Sequence, residues 1–321
     1  MYRFFGKEPV AMAVKPRILA VGSANIDFIA NVNRVPEAGE TLLAGGSYEF
    51  VPGGKGANCA VAAARLGADV VFCTRVGNDT YGRMLAKVYA DEKIDCRSVI
   101  IDKKRPTGLA SVYVEESGAN RITVFPGANA AVSRSDVEDA FMSYPDALLT
   151  QFEIPLDTVY FAAELAAEND VPVFIDGGPV PPALDFSALG KVTVFSPNEN
   201  EAYAYTGIRP TDAESYIRIC LDLYSRMKVQ YIVLKLGARG CYVYDGHFGE
   251  AVPSYSVNAA DTTAAGDSFT AALTYEFLRS GNIRSACRYA NAVGALTVTK
   301  RGALPSLPTE KEVLEFIRQN S

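Results

Sequence analysis

The sequence predicts an α/β fold in which helices sandwich a mostly parallel, Rossmann-like central sheet, with a small β-sheet as a lid. Apolar strand patterns, beginning with residues 18–21, alternate with helical patterns along most of the chain, as in a parallel sheet covered on both faces. Most of these strands end in polar residues or glycine, so their ends should line one crevice. Residues 107–125 alternate apolar and polar positions around a Gly-Ala-Asn turn and predict a half-exposed antiparallel hairpin.

Each element rests on a local pattern. The first buried strand is RILAV, and residues 28–36 and 41–53 give short strands interrupted by proline and glycine. An Ala-rich helix closed by Gly67, a strand at 69–77 and a helix capped by Asn78 or Asp79 continue the alternation. The later strands are expected in DALLTQFE, VPVFID, VTVFSPNE and YIVLKLGARG, with the helix DTVYFAAELAAEN among them, two helices between 264 and 299, and a short final helix.

Length and composition indicate one large domain with a small appendage. We expect an N-terminal extension at 1–16, a catalytic domain at 17–321, and lid segments at about 27–50 and 107–125. A hydrophobic fraction of 49% and a charged fraction of 21% are ordinary for a globular enzyme. The net charge is −6 without a basic block, and no apolar run is long enough to span a bilayer. A small molecule is therefore expected as the ligand, not nucleic acid or a membrane.

The cysteines and the single histidine point away from a zinc site, a disulfide framework and catalysis by histidine. The cysteines are scattered without a CxxC pair, which predicts reduced, mostly buried thiols and a cytoplasmic location; they are Cys59, Cys73, Cys96, Cys220, Cys241 and Cys287. His247 lies in YDGHFG, which is typical of an exposed hairpin turn. Any proton transfer must therefore use a carboxylate or a lysine.

The stretch AADTTAAGDSF, residues 259–269, places small residues and one aspartate where a polar run becomes an apolar helix. The amides of Ala264, Ala265, Gly266 and Asp267 could form an anion hole for a phosphoryl group at the helix start. The alternative is that Asp267 only caps the helix or stabilises it through its charge near the positive end of the helix dipole.

Two further stretches suggest a polyol site. In VPGGKGANCA, Gly53 and Gly54 would let a ligand touch the backbone, while Asn58 would offer an amide to hydroxyl groups. In SANID, Asn25 and Asp27 point to the same side if the chain is extended. The alternatives are a plain loop before a helix for the first stretch and an Asx turn for the second.

The stretch SPNENEA, residues 196–202, follows a strand and begins a helix. A capping box between Asn198 and Glu201 explains the spacing. The alternative is that Glu201 orients water around a Mg²⁺ ion on nucleotide phosphates.

The order of these motifs is more specific than any one of them. Neither GxxxxGK[ST] nor a GxGxxG after the first strand occurs, which disfavours a P-loop or a dinucleotide site. The series SANID, GGKGAN, QFE, PNENE, LGARG and DTTAAGD resembles the ribokinase-like (phosphofructokinase-B type) sugar kinase family over residues 17–316. The resemblance implies an ATP-dependent kinase for a primary hydroxyl of a small sugar, with Mg²⁺ on the nucleotide and K⁺ as activator.

The resemblance also implies a role for each matching residue. Asp267 would be the catalytic base, and the anion hole would coincide with the amides of 264–267. The sugar contacts would be Asn25, Asp27, Gly53, Gly54, Lys55, Asn58 and Glu153. The nucleotide side would comprise Asn198, Glu201, Lys235, Gly237, Gly240, Gly266 and Asn291. The potassium loop would use Asp261, Thr263, Thr297, Lys300, Gly302 and Ser306.

Departures from the family pattern leave the sugar open. Lys235 stands where Thr is frequent, Ala264 where Gly is frequent and Cys59 where Gln is frequent, and IDGGPVPP replaces an Asn-Pro-Ala run. D-ribose, phosphorylated on O5, is the expected substrate, with deoxyribose, a fructose-type sugar or a nucleoside as alternatives. A sugar-binding sensor without turnover is the alternative of another class. The half-apolar hairpin predicts a homodimer paired through the lids.

Overall fold

A nine-stranded sheet crosses the middle of this computed structural model, which describes residues 15–116 and 120–320. Its strand order is β13-β12-β11-β10-β9-β8-β1-β4-β5, parallel from β11 to β5 and antiparallel at the β12–β13 edge. The strands are β1 (Arg17–Val21), β4 (Asp69–Gly77), β5 (Val99–Asp102), β8 (Ala147–Thr150), β9 (Val173–Asp176), β10 (Lys191–Ser196), β11 (Lys228–Lys235), β12 (Cys241–Tyr244) and β13 (Gly249–Val252). The predicted mostly parallel sheet is confirmed.

Helices cover both faces of this sheet. They are α1 (Lys55–Arg65), α2 (Thr80–Asp91), α3 (Arg134–Phe141), α4 (Leu156–Glu168), α5 (Glu199–Thr206), α6 (Ala213–Arg226), α7 (Ala265–Ser280), α8 (Ile283–Thr297) and α9 (Glu310–Gln319). One hydrophobic core lies under α1, α2, α7, α8 and α9, and the other lies under α3, α4 and α6. Alternate residues of β1 serve the two cores, Ile18 in the first and Leu19 in the second, which explains its uninterrupted apolar sequence.

A separate four-stranded sheet, the lid, has the order β3-β2-β6-β7. Its strands are β2 (Asn25–Val32), β3 (Tyr48–Gly53), β6 (Gly108–Glu115) and β7 (Asn120–Phe125). The hairpin expected at 107–125 is the β6–β7 pair, although its turn at 117–119 lies outside the described residues. One expectation is wrong, because residues 41–47 form no strand. In SANID, Asn25 and Asp27 both lie on the extended strand β2, which excludes the alternative of an Asx turn there.

The smaller predictions concern the N-terminal extension, the cysteines, His247 and the cap of α2. Nearly all of the predicted extension at 1–16 lies outside the described residues. The six cysteines are free and all but Cys96 are buried, while His247 lies exposed between β12 and β13. Asp79, not Asn78, caps α2. Among the helices of the described part, none is both long and apolar enough to cross a bilayer.

The topology fixes where a ligand can bind. The chain leaves β1 on one side for β4 and later returns on the other side with β8, so the direction of winding reverses beside β1. In α/β sheets, ligands bind outside the carboxyl ends of the strands at such a point. Residues 22–24, 151–153 and 176 follow or end β1, β8 and β9 at this edge, and the lid strand β2 begins directly above it.

Candidate active site

Three carboxylates converge where the lid meets the sheet. Asp27 lies on β2, Glu153 follows β8 and Asp267 lies in the first turn of α7. Burial raises the pKa of Asp27 to about 7, and the nearby charges of Glu153 and Asp267 act in the same direction. An acidic group held this close to other acids provides hydrogen-bond acceptors for a ligand rich in hydroxyl groups.

Asp267 is buried and does not cap its helix. The residue at the N-cap of α7 is Ala264, in the left-handed conformation with φ 61°, and it makes no side-chain capping bond. The Asp267 carboxylate instead accepts hydrogen bonds from Asn58 Nδ2 at 2.8 Å and from Lys55 Nζ at 3.2 Å. Asp267 is therefore not the cap of α7, although its place in the first turn still lets the carboxylate interact favourably with the helix dipole. Three residues predicted from two distant motifs, Lys55, Asn58 and Asp267, lie together.

The N-terminus of α7 presents backbone donors beside this carboxylate. The N–H groups of Gly266 and Asp267 have no acceptor within the part of the chain that the structure describes. The N–H of Ala265 differs from the prediction, because it already donates to the carbonyl oxygen of Thr262 at 3.3 Å. Three of the four predicted amides, those of Ala264, Gly266 and Asp267, thus lack an acceptor among the described residues. An anion at this helix start would also meet the positive end of the helix dipole.

Glu153 connects the sheet to the glycine-rich turn. Its Oε2 accepts hydrogen bonds from Ser23 Oγ at 2.5 Å and from the backbone N–H of Lys55 at 3.1 Å. Gly54 has φ 94°, and a Cβ on Gly53 would come within 2.1 Å of Asp27 Oδ2. Both glycines are therefore needed for the turn to pass close to the carboxylates.

Asn129 orients Asn25, and nothing in the sequence indicated it. The fully buried Asn129 accepts a bond from the N–H of Ala24 at 2.9 Å and donates through Nδ2 to Asn25 Oδ1 at 2.7 Å. Because the Asn25 oxygen is occupied, its NH₂ group is the part free to face a ligand.

A buried ion pair network extends the site toward α7 and β11. Asp176, at the end of β9, accepts bonds from Lys235 Nζ, from Thr270 Oγ1 at 2.8 Å and from Lys55 Nζ at 3.4 Å. Despite burial, the two lysines keep the pKa of Asp176 below its usual range. Burial opposes the charge of Lys55, but Asp176 and Asp267 outweigh it and raise its pKa. Asp176 and Thr270 were not predicted as site residues.

A cavity of about 620 Å³ opens on the other side of the α7 N-terminus. Its walls include Tyr255, Phe269 and Val298, so that it combines apolar surface with polar groups. It is lined by the predicted nucleotide-side residues Asn198, Lys235, Gly237, Gly240, Gly266 and Asn291. The Asn291 NH₂ group, however, donates to the carbonyl oxygens of Val252 and Pro253 at 3.0 and 3.1 Å, so it holds the cavity wall.

Glu201 forms the capping box that the sequence suggests. Its Oε2 accepts from the N–H of Asn198 at 2.7 Å, and its own N–H donates to Asn198 Oδ1 at 2.9 Å. Burial, followed by the charge of Asp176, raises the pKa of Glu201. Within the described ranges, no group of three or more His, Cys, Asp or Glu side chains is arranged to hold a metal.

The predicted cation loop is tied together by Asp261. One carboxylate oxygen accepts from the N–H and hydroxyl of Thr263 at 2.9 and 2.7 Å, and the other accepts from the N–H of Gly302 at 2.9 Å. These bonds lower the pKa of Asp261 although burial opposes them. The hydroxyls of Thr297 and Ser306 donate to carbonyl oxygens of their own segments, and Lys300 pairs with Glu312. The oxygens of this segment, backbone carbonyls among them, keep lone pairs that a cation can accept.

Known proteins resemble nearly the whole of this chain in sequence. The model of the pfkB family carbohydrate kinases matches residues 15–310. The chain is 35% identical over 306 residues to a ribokinase of Haemophilus influenzae, covering 95% of this chain and 99% of that protein. It is 30% identical over 313 residues to a deoxyribokinase of Salmonella typhi, with 94% and 99% covered.

A solved structure shows the same fold. The ribokinase of Arabidopsis thaliana, complexed with ribose and ATP, superposes with a TM-score of 0.84 at 30% identity and covers 95% of this chain and 99% of its own. The fold, the order of the sequence motifs and the relatives all indicate the same family. The chain belongs to the pfkB family of carbohydrate kinases.

Proposed function

We propose that the protein transfers the γ-phosphoryl group of ATP to a primary hydroxyl of a pentose, with O5 of D-ribose as the acceptor. The observation that carries this proposal is the position of Asp267. Its carboxylate lies between a pocket rich in acids and the 620 Å³ cavity, at a helix start whose amides of Gly266 and Asp267 are free. The similarity to ribokinases, one of them solved in complex with ribose and ATP, supports the same substrate.

Each side of the site would serve one substrate. Asn25, Asp27 and Glu153 would bind the sugar hydroxyls and leave the reacting hydroxyl at Asp267. As this oxygen attacks the γ-phosphorus, Asp267 takes its proton, the bond to the β-phosphate oxygen breaks, and ADP leaves. The amides at the start of α7 would stabilise the charge on the transferred group.

Metal ions would act around this chemistry. Mg²⁺, held near Glu201 through water, would neutralise charge on the nucleotide phosphates. K⁺, held by carbonyls of the loop that Asp261 ties together, would fix the shape of the turn before α7. The free thiols suit a protein of the cytoplasm.

A coupled assay of ADP release tests the proposal and its alternatives. Ribose, deoxyribose, fructose, adenosine and uridine are compared at equal concentration, and we expect the highest kcat/KM with ribose. A higher value for deoxyribose or a nucleoside would replace the substrate but keep the reaction. Binding of sugar without ADP release from any of them would contradict a kinase and favour a sensor.

K⁺ should raise turnover several-fold over Na⁺ at equal ionic strength. The reason is that the cation would order the turn at 261–263 and thereby the anion hole, without contacting the sugar. The control is Asp261→Asn, which weakens the link to Thr263 and Gly302 and should reduce the difference between the salts. Equal rates in K⁺ and Na⁺ would show that the loop holds no selective cation.

The lid should mediate a homodimer. Exposed apolar side chains, which water disfavours, lie on both faces of the lid sheet: Ile122 and Val124 share the face of Asp27, while Tyr48, Phe50 and Phe125 lie on the opposite face. Sedimentation velocity at micromolar concentration should give a dimer, and Ile122→Arg should shift it toward monomer. Leu221→Arg, at an exposed apolar position on α6, is the matched control. A wild-type protein that sediments as a monomer would contradict the prediction of a lid-mediated dimer.

A further inference from the structure

Asp176 connects the two lysines of the site through both of its carboxylate oxygens. Oδ1 accepts from the N–H of Gly178 at 3.2 Å and from Lys55 Nζ at 3.4 Å, while Oδ2 accepts from Lys235 Nζ and from Thr270 Oγ1 at 2.8 Å. The Asp176 side chain is fully buried. Buried charges persist only when they are paired and hydrogen-bonded, so this carboxylate and its partners depend on one another.

The two lysines differ in how much they depend on Asp176. Lys55 has a second carboxylate partner, since its Nζ also lies 3.2 Å from Asp267 Oδ1. Lys235 has no second carboxylate within ion-pair distance in the described residues, and its remaining side-chain contact is Thr270 Oγ1 at 3.4 Å. The location of the Lys235 ammonium is therefore determined by Asp176.

That location is the start of α7. Lys235 Nζ lies 3.4 Å from the point that a Cβ on Gly266 would occupy, and Lys235 also lines the 620 Å³ cavity. An anion bound by the amide of Gly266 would thus meet the ammonium as well. Two kinds of donor, a helix N-terminus and a fixed cation, would then act on the same charge.

We propose that Asp176 is a positioning residue, which holds the Lys235 ammonium beside Gly266 so that it stabilises the phosphoryl group during transfer. This inference rests on the proposed function and adds to it. Asp176 itself touches neither substrate and acts through Lys235. The competing explanation is that Asp176 only neutralises two buried lysines and supports the fold.

Kinetics of three variants separate these explanations. We expect Lys235→Met, which keeps the length of the side chain, to lower kcat about 10²-fold, as loss of one donor to a developing charge does. Asp176→Asn should lower kcat at least about tenfold while the KM for ribose changes little, because the ammonium loses its anchor. The double variant Asp176→Asn/Lys235→Met should lie within about threefold of Lys235→Met, because residues acting through one another are not additive.

Asp136→Asn is the matched control. Asp136 is also a buried aspartate with a cationic partner, Arg75, whose Nε lies at 2.7 Å, but it belongs to α3 away from the site. It should lower the Tm and leave kcat unchanged. If Asp176→Asn behaves like this control, or if Lys235→Met retains kcat, the proposal is overturned. If Asp176→Asn fails to fold, the double variant Asp176→Asn/Lys235→Met, which removes both charges of the pair, is compared with Lys235→Met. A kcat of the double variant far below that of Lys235→Met would contradict the proposal.

The same assay distinguishes this inference from the proposed function. A wild-type protein that phosphorylates no sugar overturns both. A wild-type enzyme that depends on Asp267 but not on Lys235 overturns only the role of Asp176 and leaves the kinase reading intact.

Discussion

Asp267→Asn should lower kcat by about 10² to 10⁴, the range that a positioned general base contributes. The amide keeps the size of the side chain and can still accept the hydrogen bond from Asn58, but it cannot take the proton of the attacking hydroxyl. Steady-state kinetics with ribose and ATP measure the loss. The Tm should change modestly and the affinity for the nucleotide should hold, because the cavity walls are untouched.

Asp212→Asn is the control for this change. Asp212 caps α6 on the surface, where its carboxylate accepts from the N–H of Ser215, and asparagine is about as good a cap. Turnover should match the wild type. A folded Asp267→Asn protein with nearly normal turnover would reject Asp267 as the base, whatever the family resemblance implies.

Asp27→Asn should weaken sugar binding and stabilise the free protein at the same time. As a carboxylate, Asp27 would accept bonds from sugar hydroxyls, and losing one or two such charge-assisted bonds raises the KM for ribose about 10²-fold. The pKa of Asp27 rises from 3.8 to about 7 in the folded state. The folded protein therefore binds a proton that the unfolded chain releases, and its stability falls as pH rises between these values.

The size and pH dependence of this stabilisation follow from the same shift. Ionising Asp27 in the folded protein costs on the order of 4 kcal/mol above pH 7, and Asp27→Asn removes part of that cost. Its Tm should exceed that of the wild type at pH 8 and approach it at pH 5. Asp245→Asn is the control with the opposite sign, since the N–H groups of Phe248 and His247 lower the pKa of Asp245. An unchanged Tm difference between pH 5 and pH 8 would contradict a protonated Asp27.

Contiguous motifs made much of this molecule predictable. The uninterrupted apolar strands predict the parallel sheet, which is present, and the polar residues predicted at the strand ends lie together at one edge of it. GGKGAN and DTTAAGD predict residues that the structure brings together, with Asn58 bonded to Asp267 across 209 positions of sequence. The type of each residue and its place at a helix start carried this information.

The buried network could not be read from one local pattern. Asp176 looks like the polar end of an ordinary strand, and its pairing with Lys235 depends on the order β9-β10-β11, which separates the two residues by one strand. Opposite charges ending two otherwise buried strands were the available signal. No such signal in the sequence indicated Asn129. It comes close to its partners Ala24 and Asn25 only when the lid is placed on the sheet.

The packing of α1 against α7 also determines when the hydrophobic core can close during synthesis of the chain. Ala57, Ala60 and Val61 of α1 are fully buried, yet the helix that covers them is translated about two hundred residues later. Until then the nascent chain exposes an apolar helical face, which makes it a ligand for chaperones and prone to aggregate. A ribosome stalled before α7 would therefore carry the whole sheet but neither Asp267 nor the start of its helix, and the site would be complete only when nearly the whole chain had emerged.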